Sequence, residues 1–441
     1  MLESSKPALV RAIGRWSLAA LTINCIIGSG IFGLPSVIAG SLGSASPFAW
    51  LFAAAATGLV MACFAEVSSR FEQSGGVYLY SRAAFGRTTG ITVAWLGLLA
   101  RLTAIGANAN LFVIYLAEFW PKANLLMPRA IVLLVLFGFL TCINYIGVRS
   151  GTVLSNLFTA VKLITLGAFI AAGALFLTWH HHPLAISMPA GSSAKWLRSI
   201  LLLMFAYGGY ETALTPGGEA KDPRRDYPFA LFIALVTCAF VYIATQWIVI
   251  SVVPASSMSN RPIATAAQAI VSSWGAGLVS VAILFATYGY LSANILGFPR
   301  ILFALAEQGD VPAVMAKVHS RFRTPHIAIV VLSACALIFS LIGTFQWNVT
   351  ISAMSRLIYY GSVCAALPAL RHRSDVPKPA FKLPAGNFIA VLALGISLLL
   401  FPELDRVGVL VLALVAVCIA ANNIWASRRE RSISLSAQVG E

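Results

Sequence analysis

The chain has 441 residues, 59% of them hydrophobic and only 10% charged. Soluble domains run at about 45–50% apolar and about 25% charged; so little charge cannot cover a water-facing surface, and lipid must solvate much of the chain. Thirty Lys+Arg against 15 Asp+Glu give a formal net charge of +15, which on so apolar a chain points to loops facing an anionic leaflet and not to nucleic acid.

Residues 1–16 are polar and basic and lack the apolar stretch and small-residue cleavage site of a signal peptide, so the first apolar run is expected to act as an anchor. Apolar stretches of about 20 residues are read as spanning helices. Twelve are predicted, near 17–40, 47–69, 88–118, 127–148, 151–178, 196–216, 228–253, 276–305, 325–343, 347–370, 386–403 and 406–426. With the N-terminus inside, the inner segments hold 20 basic residues, among them Lys6, Arg11, Arg70, Arg149, Lys317, Arg371 and Arg428. The outer loops hold six: Lys122, Arg129, Lys195, Arg198, Arg261 and Arg406. Arg101, Lys162, Arg300 and Arg356 fall within spans. This bias predicts both termini in the cytoplasm and a multi-pass protein of the cell's inner (plasma) membrane.

The seven cysteines are scattered through apolar runs without CxxC spacing, so no disulfide framework is expected. His180, His181 and His182 fall in the longest outer loop; three consecutive side chains do not converge on one ion, and no metal site is expected. The sequon at Asn348-Val349-Thr350 lies close against the membrane and is read as chance.

Span one contains Asn24-Cys25-Ile26-Ile27-Gly28-Ser29-Gly30-Ile31-Phe32 with Pro35 beyond. Each mid-helix glycine costs about 1 kcal/mol relative to alanine, so the pair invites unwinding. Irregular backbone at that depth is tolerated only where it lines a cavity. The half-helix after such a break presents free N–H groups to a carboxylate, and the half before it presents carbonyls to an ammonium or a cation. Span six carries the same defect in Phe205-Ala206-Tyr207-Gly208-Gly209-Tyr210-Glu211, with Gly208 lying 180 residues after Gly28. Paired interrupted helices in two halves point to a midplane binding site; the bland alternative is close packing of small residues.

Four stretches then give the chain a resemblance: Gly28 to Phe32 with Pro35; Ala65-Glu66 followed by Gly75-Gly76-Val77-Tyr78-Leu79-Tyr80; Gly208 to Glu211 running into Glu219 to Pro228; and Arg300 to Ala306 with Gly309, Pro312 and Thr324-Pro325-His326. In order and spacing they resemble bacterial amino acid permeases of the amino acid–polyamine–organocation superfamily. The resemblance implies an all-α polytopic membrane protein with a LeuT-like 5+5 inverted repeat, helices one and six broken, and two C-terminal helices added. On that scheme a tail at 1–16 precedes a transport core at 17–370 (repeats about 17–178 and 196–370), followed by spans at 371–426 and a tail at 427–441. It also implies that the substrate carboxylate sits on the N–H groups of Gly28, Ser29 and Gly30. The α-amine would sit on carbonyls of Ile26 and of the second break at Phe205, Ala206, Tyr207, Gly208 and Gly209, with Phe205 as the gate.

Buried charges supply the remaining candidates. Lys162 lies about 16 Å along span five at 1.5 Å per residue, where an unpaired lysine costs about 2.5–3.5 kcal/mol. In resembling proton-coupled permeases a lysine here replaces a bridging sodium ion, so Lys162 is expected to touch the span-one break and couple a proton to transport. Glu211 either orients the second break by hydrogen bonds or titrates as a gate. Glu66 is expected to anchor a loop. Arg101 either recognises a polar or acidic substrate group or pairs with Glu66 or Glu211, and pairing is the expectation. Arg356 is expected to stack or to bond carbonyls beside Tyr359 and Tyr360. Asn108, Asn110 and Asn294 are candidates to line the pocket.

The expected activity is proton-coupled, sodium-independent import of an L-amino acid by alternating access, with no cofactor. The alternatives are an amino acid/amine exchanger and a non-transporting nutrient sensor, the latter left with little cytoplasmic domain to act on. No HExxH, G-x-S-x-G or Walker pattern supports an enzyme. The substrate's side chain and the oligomeric state are left open.

Overall fold

The computed structural model describes residues 14–71, 75–146, 151–180, 192–214, 221–254, 257–307, 309–401 and 406–439. Lys6, Arg11, Arg149, His181, His182 and Glu219 lie outside them. All regular elements among the described residues are helical. Span one is split into α1 (Arg15–Ile26) and α2 (Ser29–Leu42), followed by α3 (Ser46–Ser68), the short α4 (Gly76–Phe85), α5 (Arg87–Leu116), α6 (Leu126–Ile146) and α7 (Gly151–Trp179). Span six is split into α8 (Ser193–Tyr207) and α9 (Tyr210–Ala213). Then come α10 (Pro223–Val252), α11 (Pro262–Val271), α12 (Ser273–Glu307), α13 (His326–Ile342), α14 (Phe345–Arg371), α15 (Gly386–Leu400) and α16 (Arg406–Val439).

Each predicted span is occupied by a helix or a broken pair, and seven helices are by themselves long and apolar enough to cross a membrane among the described residues. Two differences stand out. α11 fills a stretch read as loop, opened by Pro262 at its first position, where a missing N–H is harmless. α16 runs on to Val439 through the segment expected to be a polar tail, because nothing from Ser427 onward breaks a helix.

Packing divides the helices around α5. One stripe of α5 (Leu96, Ala100, Ala104, Ala107, Leu111, Tyr115) joins a core with α1, α2, α3, α8, α10 and α14. A second stripe (Leu102, Ile105, Ala109, Val113) joins a separate core with α6, α12 and α13. Both stripes follow helical spacing. Arg101 and Asn108, seven residues apart, fall on the face between them. Outward-facing Ile131, Leu134, Val135 and Phe139 of α6 and Phe232, Val236 and Phe240 of α10 are exposed apolar side chains suited to lipid.

Two polar clusters tie down one end of the bundle. Asp310, buried after α12, accepts from Tyr78 at 2.6 Å and Arg87 at 2.8 Å, with Arg82 at 3.7 Å, while its backbone carbonyl accepts from Asn422. Burial, reinforced by the Asp310 contact, pushes the Tyr78 phenol up to about 12, so it remains a donor. Glu66 anchors the α14–α15 connection as expected, accepting from Arg371 at 2.8 and 2.6 Å and from the Leu383 N–H at 2.9 Å. Arg224 donates to the Ser69 carbonyl, so the turn opening α10 joins the same face. At the opposite end, Arg129 reaches Asn110 at 2.7 Å and the carbonyls of Ser340 and Gly343 at 2.8 Å. Phe345 packs against Gly33 there.

Candidate functional site

Both breaks form where the glycines predict. α1 ends at Ile26, the ψ of 98° at Ile27 leaves the helical region, and α2 begins after Gly28 in extended conformation. In the second break Gly209 has φ 108°, a left-handed value that disfavours a side chain. The two cross closely: a Cβ on Gly30 would lie 2.6 Å from that of Ala206, and one on Gly209 would collide with the Cys25 carbonyl.

The carbonyls released by α1 are almost all used. Lys162 Nζ donates to Asn24 O at 2.6 Å and Ile27 O at 2.7 Å, so the lysine touches the span-one break. The Tyr242 hydroxyl lies 3.1 Å from both Ile26 O and Ala206 O, so one proton is shared between the two breaks. Glu211 completes the second break: it accepts from Gly209 N–H at 2.8 Å, Tyr359 at 2.8 Å and Tyr360 at 2.7 Å. These bonds hold the Glu211 carboxylate between the second break and α14.

A cavity of about 390 Å³ lies between the breaks, bounded by Ile26, Gly28, Ser29, Gly30, Phe205, Ala206, Gly208 and Gly209. Arg101, Asn108, Lys162, Asn294, Glu211 and Arg356 also reach it. A second cavity of about 350 Å³, lined by Tyr78, Trp95 and Leu98, meets it at Arg101, Glu211 and Phe298 and leads toward the Asp310 end. Several buried polar atoms around the first cavity have no partner among the described residues: Ser29 Oγ, Asn108 Oδ1, and Arg356 Nε and Nη1.

Three expectations change. Tyr207 does not line the cavity: its ring packs on Trp50 and Tyr242, and its hydroxyl donates to the Trp50 carbonyl. Alternation around a helix end turns it away when Phe205 and Ala206 face inward. Arg101 pairs with neither Glu66 nor Glu211, because closer arginines hold both; it donates to Thr212 at 3.1 Å and lies over Phe298. Arg356 takes the stacking alternative, lying over the Phe205 ring and 3.8 Å from Glu211 and bonding no carbonyl among the described residues, its guanidinium filling the place a Gly208 side chain would need. Asn110 is taken up by Gly106, Gly343 and Arg129 on the far side.

Tyr242 escaped sequence reasoning. The available signal was a row at Cys238, Tyr242 and Gln246, spaced by four in the middle of a largely apolar helix, with Gln246 bonding Trp50, Pro35 and Ser46. The Asn348 amide is buried and bonded to Phe339 and Thr344 carbonyls, in keeping with a chance sequon.

An all-helical apolar bundle enclosing a polar cavity between two broken helices is a membrane transporter. Residues 13–421 match the amino acid permease family. The chain belongs to that family, within the amino acid–polyamine–organocation superfamily. It is similar to the serine/threonine exchanger SteT of Bacillus subtilis (strain 168), 30% identical over 401 residues, covering 89% of this chain and 91% of that one. It is 25% identical to the branched-chain amino acid permease BcaP of the same organism over 432 residues, covering 92% and 90%. It is 26% identical to the Homo sapiens Asc-type amino acid transporter 1 over 431 residues, covering 93% and 82%.

Proposed function

We propose that the protein imports an L-amino acid across the inner (plasma) membrane by alternating access, coupled to protons and independent of sodium. On this reading twelve spans cross the bilayer with both termini cytoplasmic. The Asp310 end is then the inner face, and the halves near 17–178 and 196–370 are inverted repeats. The α-carboxylate meets the N–H groups of Ser29 and Gly30 at the start of α2, and the α-amine meets carbonyls flanking the breaks. Phe205 gates the site. The observation carrying the reading is the Lys162 ammonium seated on the Asn24 and Ile27 carbonyls. A proton on that nitrogen makes both bonds charge-assisted and holds α7 against the break; its loss leaves a neutral amine with two N–H groups and a weaker hold on the two carbonyls.

Uptake of a labelled amino-acid panel into proteoliposomes tests this, with an imposed pH gradient and with sodium present or absent. Uptake that follows the pH gradient and ignores sodium is expected. Lys162→Met should remove the gradient dependence while keeping a side chain of similar length. Uptake that collapses without sodium would sink the proposal.

Exchange is the second reading, favoured by the likeness to a serine/threonine exchanger. Counterflow separates the two: uptake confined to vesicles preloaded with substrate indicates obligatory exchange.

A further inference from the structure

The cavity is out of charge balance. Among the described residues three cations reach it, Arg101, Lys162 and Arg356, against one carboxylate, Glu211. Lys162 is satisfied by two carbonyls. Glu211 is engaged by a backbone N–H and two tyrosine hydroxyls. Its nearest approach to Arg356 is 3.8 Å, an ion pair longer than a hydrogen bond.

Arg356 is therefore a buried guanidinium, 5% exposed, whose Nε and Nη1 find no acceptor among the described residues. Arg101 spends one nitrogen on a neutral hydroxyl and has no carboxylate partner among them. Unpaired buried donors are costly, and charged ones more so. A zwitterionic amino acid with a neutral side chain adds no net charge and leaves the excess standing. One with a second carboxylate adds one negative charge, matching Arg101 once Glu211 is set against Arg356.

The surface at the opposite, sealed end has the same sign. A hollow of about 380 Å³ between α2, α8 and the start of α14 is lined by Lys195 and Arg198 and by no carboxylate among the described residues. Such a hollow concentrates anions at that end.

We infer that the cargo is a dicarboxylic amino acid, of the aspartate or glutamate class, whose side-chain carboxylate is held by Arg101 and Arg356. The inference rests on the amino acid transport reading above. The α-carboxylate and α-amine keep their places at the breaks, and the guanidinium pair selects the side chain. Planar guanidinium donors suit a carboxylate, while a side-chain amide offers one acceptor oxygen and a repelled NH₂ group.

Glutamate and glutamine differ in little but this charge, so their uptake by the full-length protein in proteoliposomes is the test. Glutamate is expected to half-saturate uptake at a concentration lower by about tenfold or more, given how strongly sites with committed polar groups reject mismatched analogues. Arg101→Gln should cut the glutamate-to-glutamine ratio by about tenfold. Within one variant the ratio is insensitive to how much protein folds. Wild-type protein in detergent should also gain thermal stability from glutamate and little from glutamine, whatever the behaviour of the variant. Equal handling of the two by wild type, or a ratio that Arg101→Gln leaves unmoved, overturns the inference. Uptake of neutral amino acids with none of glutamate or aspartate overturns it while leaving the transport reading intact. Absence of uptake for every amino acid overturns both.

Discussion

Glu211 does at one residue what capping does at a helix end. Its oxygens collect the Gly209 N–H and two phenols from α14, so the second break keeps one shape and α9 is tied to a neighbouring helix. Removing a buried charge that also faces Arg356 leaves that guanidinium without a counter-ion. Glu211→Ala is expected to cost about 3–5 kcal/mol. Tyr359→Phe removes one hydrogen bond and should cost about 1 kcal/mol. Melting of the detergent-solubilised protein should rank the two variants in that order. A Glu211→Ala protein as stable as wild type would show that the carboxylate does not organise the break.

At the scale of elements, the crossing of α2 and α8 decides whether a cavity can exist. Gly30 and Ala206 touch where the broken helices pass, and an added methyl at Gly30 would lie 2.6 Å from the Ala206 Cβ. Gly30→Ala should therefore reduce transport by about tenfold or more, since overpacking costs about 1–3 kcal/mol. Gly30→Ala combined with Ala206→Gly should recover much of the loss, measured as initial uptake rate. Failure of the double variant would mean that Gly30 acts through its backbone alone. These breaks were legible in the sequence because glycine pairs in apolar runs are rare enough to mean something. The seat of Lys162 was legible from the depth of a single charge. The partners of Arg101 were not, because two carboxylates, Glu66 on α3 and Glu211 on α9, can be claimed by arginines on α5 and α14. Only the packing of helices far apart in sequence decides which pairs meet: Glu66 sits 305 residues from the Arg371 that claims it. Tyr242 was hidden for the same reason, a single hydroxyl whose two acceptors come from other helices.

The whole molecule is sealed at one end and hollow toward the other. Arg129 gathers an amide and two carbonyls at the sealed end, where Phe345 closes on Gly33. The second cavity carries the hollow past Trp95 and Leu98 toward Asp310. On the alternating-access reading proposed above, the Arg129 cluster opens as the Asp310 side closes, so weakening the seal should shift the population. Arg129→Gln gives up hydrogen bonds from a charged donor, each contributing about 1.5–3 kcal/mol. The labelling rate of a cysteine at Leu98→Cys by a membrane-impermeant thiol reagent reads that shift, compared with and without Arg129→Gln. A slower rate in the double variant is expected, and an unchanged one would show that the seal does not bias the equilibrium.

The hydroxyl of Tyr242 bears on the return journey of an unloaded carrier. With its proton spread over Ile26 and Ala206, the oxygens that flank an ammonium are already partly solvated by the protein when no cargo is aboard. On the import reading proposed above, an empty binding site is then less frustrated and the carrier swings back without a passenger, which is what would separate one-way accumulation from strict one-for-one trading. Tyr242→Phe takes that internal solvent away. Net uptake into unloaded vesicles should fall by several-fold while trading across preloaded vesicles changes little, so one oxygen atom on α10 would set how far the protein behaves as a pump and how far as a turnstile.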